Sequence, residues 1–414
     1  MRTRAVQTAS PVEGTKAICP IHPPPSRLRQ SFVLLVILAS TAALRAQTDS
    51  KAQQPYAAIN RAAIGYAGPD RETAHDLPGP EVKIGLLAPL QGPRKAEGEA
   101  LRQAALMALE DEAGNPLPEG RRLALVVRDE TGLWGRGASE IVRLVFDDRA
   151  VALVTSPEGN AAHLAEQVGN RVGVPVLTLS SDSTTTQINI PWLFRLVPND
   201  AVQAQTIAED IYRQRAFQKV LLITERNHDG RVGREEFEKA ARHLQAPPPE
   251  SLDVVLPLAD ADSLLAEIRS RHPQAIVLWT SAETAARVLE EIRQSESEVY
   301  VCRKALQEPF TRLAEQQKRH RIWFVASRVG SATSSAQEFE ARFRARVGTA
   351  PSFAAAEVYD AVRLLVAGLR EAGPNRARLR DRLAKVSNFV GASGIISFDG
   401  AGNNQAEVAL APLK

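Results

Sequence analysis

From Glu81 onward the chain repeats one unit: a short apolar run, then an amphipathic stretch of ten to sixteen residues. "VKIGLLAPL" precedes a helical pattern near Gly98–Ala113, "RLALVVRDE" precedes "GASEIVRLVFDD", and "AVALVTS" precedes "NAAHLAEQVGNRVG". After "FRLVPND" a second series begins, in which "KVLLIT", "LDVVLPL", "QAIVLWT" and "EVYVC" alternate with helical patterns. Apolar runs of strand length separated by helices predict right-handed βαβ units and a parallel sheet. Two such series predict an α/β protein of two doubly wound parallel-sheet lobes, which suits a chain of 414 residues.

Ligands of open parallel sheets sit outside the carboxyl ends of the strands. At one such end, "GVPVLTLSSDSTTTQ" (residues 173–187), Ser180, Ser181, Ser183, Thr184, Thr185 and Thr186 surround a single carboxylate, Asp182. Hydroxyls here either hold the polar head of a small solute or cap the next helix, because Ser, Thr and Asp are also the preferred N-cap types.

The basic character of the chain, pI near 8.9, is local. Residues 1–46 carry six Lys and Arg against Glu13, and without them the formal net charge of +3 becomes slightly negative. Nucleic acid is therefore not an expected partner. Basic residues through Arg29, the apolar run "FVLLVILASTAA" and the small residue Ala46 together predict a cleavable secretory signal over 1–46 and a periplasmic or secreted product. Residues 47–80, polar and broken by Pro and Gly, read as a flexible arm. Cys19 and Cys302 are the only cysteines, so the exported chain makes no internal disulfide, and Cys302 reads as a small buried residue.

No sequence signature nominates catalysis. His-Glu-x-x-His, Gly-x-Ser-x-Gly, a Walker loop, Gly-x-Gly-x-x-Gly and cysteine clusters are all missing, so no cofactor, metal site or enzymatic activity is expected. His228 beside Asp229 in "RNHDGRVG" is a poor acid–base pair, since adjacent loop residues seldom face one another.

The order of "VKIGLLAPLQGP", Asp129 after a strand, "VGVPVLTLSS", "FRLVPNDAVQAQTIAEDIY", "VYDAVRLLVAGLREAG" and "FVGASGIISFDGAGN" resembles the exported type I substrate-binding proteins of ABC transporters, in particular the branched-chain amino acid (leucine/isoleucine/valine) group. The resemblance spans about Val82 to Leu413. It implies a three-strand hinge near residues 198–202, 326–332 and 386–392, with residues 81–199 and 330–386 in the first lobe and 200–329 and 387–414 in the second. It also implies a monomer that captures a small polar solute, such as an amino acid, by hinge closure and docks on a membrane permease. A sensing or accessory module with the same fold is the alternative. Carried onto this sequence, the pocket falls near Glu158–Asn160 and Ser181–Ser183. Asn160, Ser181 and Ser183 are donors for a solute carboxylate, and Asp182, Asp229 or Glu283 is the acceptor for an ammonium. Arg231 suits an anion, and Trp279 and Ser281 wall the apolar part, unless Trp279 belongs to the core. "TSPEGN" replaces the group's Gly-Pro and paired serines, and "HDGRVG" lacks its usual aromatic.

Overall fold

The computed structural model describes residues 76–413 except 116, 132–133, 188–190, 256–260, 294, 318–320 and 329–332. The expected signal and most of the expected arm lie outside the described residues. Leu77 does lie inside, its amide donating to the Pro374 carbonyl at 2.9 Å.

The first sheet holds β1 (Glu81–Ala88), β2 (Arg122–Asp129), β3 (Ala152–Thr155), β4 (Val176–Thr178) and β5 (Leu193–Arg195), all parallel, in the order β2-β1-β3-β4-β5. Its strands are apolar on both faces, and both are covered. Ile84, Leu86, Val154 and Leu177 point into one core with the helices Lys95–Glu112 and Phe353–Ala372. Leu87, Leu153 and Val176 point into the other, with Trp134–Phe146 and Gly159–Val172. This period of two with helices on either side is what doubly wound means in side-chain terms.

The second sheet holds β6 (Val220–Glu225), β7 (Glu250–Val254), β8 (Ala275–Trp279), β9 (Glu298–Val301) and β10 (Ile322–Ser327), with β13 (Val408–Pro412) antiparallel on the edge beside β10. The order is β13-β10-β9-β8-β6-β7, and one core encloses its faces. Among the described residues no helix is long and apolar enough to cross a membrane.

Three chain crossings join the lobes. The first runs from β5 to the helix Asp200–Ala208, where the Asn199 side chain caps the Val202 amide at 2.9 Å. The second follows β10. The third lies near residues 405–407, where the Arg328 amide donates to the Glu407 carbonyl at 2.9 Å and the two segments run side by side.

The third crossing corrects the expected position at 386–392. Residues 389–404 pack on the first lobe, not the second. β11 (Phe389–Val390) pairs with β12 (Ile395–Ile396), and Ile396 and Phe398 enter the first-lobe core. Asp360, fully buried in the helix Phe353–Ala372, fixes the connecting loop by accepting from the Ala392 amide at 2.8 Å and from the Ser393 amide and hydroxyl at 2.6 Å. A buried carboxylate needs such donors, and the loop supplies them.

Candidate functional site at the facing strand mouths

The carboxyl ends of β3 and β4 in the first lobe meet those of β6, β8 and β9 in the second. Lys304, in the single turn Arg303–Ala305 after β9, crosses the seam. Its Nζ lies 3.0 Å from Glu158 Oε2 of the first lobe and 2.5 Å from Asp229 Oδ2 of the second. Burial disfavours its ammonium, but Glu158 and Asp229 keep it charged well beyond the ordinary lysine range. Arg94 adds a second cation to Glu158 at 2.6 Å.

Asp182 is the other crossing point. Its Oδ2 accepts from His228 Nε2 of the second lobe at 2.7 Å and lies 2.9 Å from His163 Nε2, and its Oδ1 accepts from the Thr184 amide and hydroxyl at 2.9 and 2.7 Å. Burial opposes the charge on this carboxyl, yet hydrogen bonds from His163 and Thr184 hold it well below the usual carboxylate range. The hydrogen bond to Asp182, then that to Glu166, raise His163 to about 9. Gly159 completes the seam: a Cβ built there would stand 2.3 Å from Asp229 Oδ1 and 3.2 Å from Asp182 Oδ2, so a side chain there would have to push the Asp229 carboxylate off its place beside Lys304.

Beneath the hydroxyl-rich loop lies Arg195, the largest fully buried side chain. It donates to the Ser180 carbonyl at 2.7 Å, to the Thr185 and Thr186 hydroxyls at 2.7 and 3.0 Å, and to Asn403 Oδ1 at 3.1 Å. Burial lowers its pKa to about 10, which leaves the guanidinium charged at neutral pH. Much of the serine and threonine cluster thus has a structural use.

Of the spaces that adjoin the seam among the described residues, two border the expected site residues Asp182, Asp229 and Asn160. One, between Ser181, Asp182, Asp229 and Lys304, is about 10 Å³, the room of a single water. The other, about 320 Å³, lies in the first lobe between Arg94, Glu130, Glu158 and Asn160 on its polar side and Leu87, Ile141 and Leu164 on its apolar side. Glu158 borders the larger space and holds Lys304, which borders the smaller. Glu130 Oε1 accepts from Ser156 Oγ at 2.7 Å, whereas the buried Oε2 has no hydrogen-bond partner.

Burial pushes the Glu130 carboxyl up to about 8. Between its unfolded value of 4.5 and 8 the native state therefore keeps a proton that the unfolded state has lost, and stability falls as pH rises. Glu130→Gln is expected to flatten that decline and to add up to about 4 kcal/mol at pH 8, measured by urea unfolding between pH 5.5 and 8.5.

The expected site residues divide. Ser181, Asp182, Asp229 and an edge of Trp279 border the small space, and Asn160 borders the large one. Ser183 is buried, its hydroxyl 3.4 Å from Glu236 across the seam. Ser281 caps the helix Ala282–Glu291 and donates to buried Glu225 at 2.5 Å. Trp279 is 4% exposed and packs on Gly233, where a Cβ would lie 2.0 Å from its ring, so most of it belongs to the core. Arg231 is turned to solvent beside Glu235. Lys304, His163, His228, Glu130 and Arg195 were not selected from the sequence. Lys304 follows the strand "EVYVC", so the strand-mouth rule applied to β9 as well would have found it.

A model of the periplasmic binding protein family matches residues 81–413. The chain belongs to that family. Solved structures with the same fold include a leucine-binding protein LivK from Thermotoga maritima, 20% identical, TM-score 0.69, covering 80% of this chain and 94% of that one. A branched-chain amino acid transporter substrate-binding protein LivJ from Streptococcus pneumoniae, in complex with isoleucine, is 22% identical, TM-score 0.68, covering 80% and 99%. A solute-binding protein of an ABC transporter from R. palustris, in complex with benzoate, is 20% identical, TM-score 0.71, covering 81% and 93%. None of the curated proteins matches the sequence. Membership and shared fold agree with the type I binding-protein resemblance read from the order of motifs.

Proposed function

We propose that this protein is exported, with residues 1–46 removed, captures a small polar solute between its lobes and presents it to an ABC permease. The observation that carries the reading is the pairing of facing strand mouths, bridged by Lys304 and His228, with a 320 Å³ space alongside. That volume lies in the range of small-molecule pockets. The solute is an amino acid or a related compound bearing a nitrogen donor: in the first-lobe space its N–H group meets Glu130 and Glu158, its apolar part lies on Leu87, Ile141 and Leu164, Asn160 stands at the rim, and the second lobe closes on it through Lys304. A solute carboxylate takes over Lys304 when the Glu158 pair opens. The LivJ and R. palustris proteins are solved with isoleucine and benzoate, which brackets the size of solute this fold accepts.

The test is a fluorimetric melt of the full exported chain against the amino acids, small amides, urea and small carboxylates. A compound at 100 times its dissociation constant is expected to add about 2.7 kcal/mol, a rise of several degrees. The rise should shrink in Asn160→Ala and Glu130→Gln. A panel without any shift contradicts the reading.

A further inference from the structure

We propose that His163, Asp182 and His228 form a divalent transition-metal site that spans the two lobes and locks them together. The ligand-capable atoms, two imidazole nitrogens and a carboxylate oxygen, all lie within 4.8 Å of one another. Both His Nε2 atoms converge on the same oxygen, Asp182 Oδ2, at 2.9 and 2.7 Å. Tetrahedral coordination at about 2.0–2.1 Å separates ligand atoms by about 3.3 Å, so to take the ion each Nε2 draws a few tenths of an ångström away from Asp182 Oδ2 while the two imidazole nitrogens, within 4.8 Å of each other, close together. Two imidazoles and one carboxylate select a borderline ion of the zinc type over calcium or magnesium, which prefer oxygen. The three residues leave a fourth position for a water or a solute atom.

Around His163 the surroundings have the features of a metal's outer shell, whereas His228 Nδ1 accepts from the solvent-facing Arg231 guanidinium at 3.2 Å, a contact that must swing away before His228 Nε2 can ligate the ion. Buried Glu166 turns its Oε2 to His163 Nδ1 at 3.3 Å, so it is placed to take the Nδ1 proton and leave Nε2 free for the ion. Asp182 keeps its two Thr184 bonds through the other carboxylate oxygen. Spacing in the sequence gives no hint of this group, because its members come from the helix Gly159–Val172, the loop after β4 and the first turn of the helix His228–His243.

The function follows from the division of ligands. His163 and Asp182 belong to the first lobe and His228 to the second, so an open molecule offers two ligands and a closed one three. The ion therefore binds the closed form more tightly, and by linkage it and the solute strengthen each other's binding.

Isothermal titration of the EDTA-treated full chain with zinc chloride tests this. One zinc per chain is expected, with affinity at least 30-fold weaker in His163→Gln and in His228→Gln and about 10-fold weaker in Glu166→Gln. Small-angle scattering should show zinc contracting the wild type but not His228→Gln. The glutamine variants keep a donor toward Asp182, and unchanged melting without zinc would show that they fold. Absence of saturable zinc binding overturns the proposal, as does zinc binding that the His163→Gln/His228→Gln double variant leaves intact. Loss of zinc binding with normal solute binding would leave the solute-capture reading standing.

Discussion

Arg195→Met is expected to cost about 3–5 kcal/mol of stability, readable as a lower urea midpoint with a similar slope. Methionine fills much of the volume but gives no hydrogen bonds. The Ser180 carbonyl, the Thr185 and Thr186 hydroxyls and Asn403 Oδ1 would then stand buried around an apolar chain. An unsatisfied buried polar group costs about 1–3 kcal/mol, and the Ser180 carbonyl loses its guanidinium donor outright. The Thr185 hydroxyl keeps the Asp182 carbonyl and the Thr186 hydroxyl keeps Asn403 Oδ1, each at 2.9 Å, so these two hydroxyls and Asn403 lose only part of their hydrogen bonding. A loss below about 1 kcal/mol would mean that the loop Ser180–Thr186 is held by other means. Because Asn403 belongs to the segment returning from the 389–404 hairpin, the variant should also loosen that hairpin, seen as faster amide exchange at Arg195 and Asn404, whose backbones bond each other.

Lys304→Met should have the second-largest effect, but on the equilibrium between closed and open lobes instead of on folding. Removing one partner of a buried ion group leaves Glu158 and Asp229 facing each other without their shared cation, at a cost of about 3–5 kcal/mol if they stayed buried. They need not stay. Each acid lies on its own lobe, so separation returns both to water, and the penalty is limited to what closure is worth. The expected result is a larger radius of gyration for Lys304→Met, with the melting temperatures of the individual lobes little changed and solute affinity reduced at least 100-fold. A variant as compact as the wild type would contradict the role given to Lys304.

The lobes were legible because their signal is repeated: eight apolar runs alternate with helical patterns, and the two-faced burial of most of them leaves little room for another architecture. The third crossing was misplaced for a local reason. "FVGASGIISFDGAGN" reads as a strand pair, which it is, but the lobe it joins is decided by Asp360, thirty residues away, and by where Ile396 and Phe398 find a core. The site was half legible. The strand-mouth rule reached Asn160, Ser181, Asp182 and Asp229 because position along a strand is visible in sequence. His163 in "NAAHLAEQ" looks like any polar helix residue, and nothing in a single sequence reveals that His228 approaches it from the other lobe. Arg195 carried a signal that was passed over: a charge within the apolar run "LFRLV" must be paired or exposed, and here it organises the hydroxyls beside it.

Gly159 offers the most direct check on capture by closure. It begins a helix, where alanine is well tolerated, yet a methyl group there would collide with Asp229, which Lys304 holds in place. Small-angle scattering should therefore be recorded for the wild type and Gly159→Ala, each free and with the panel compound that most raises the wild-type melting temperature. Capture between the lobes predicts that the compound contracts the wild type, while Gly159→Ala folds normally, stays expanded and binds at least tenfold more weakly. Equal contraction and equal affinity in both proteins would contradict it.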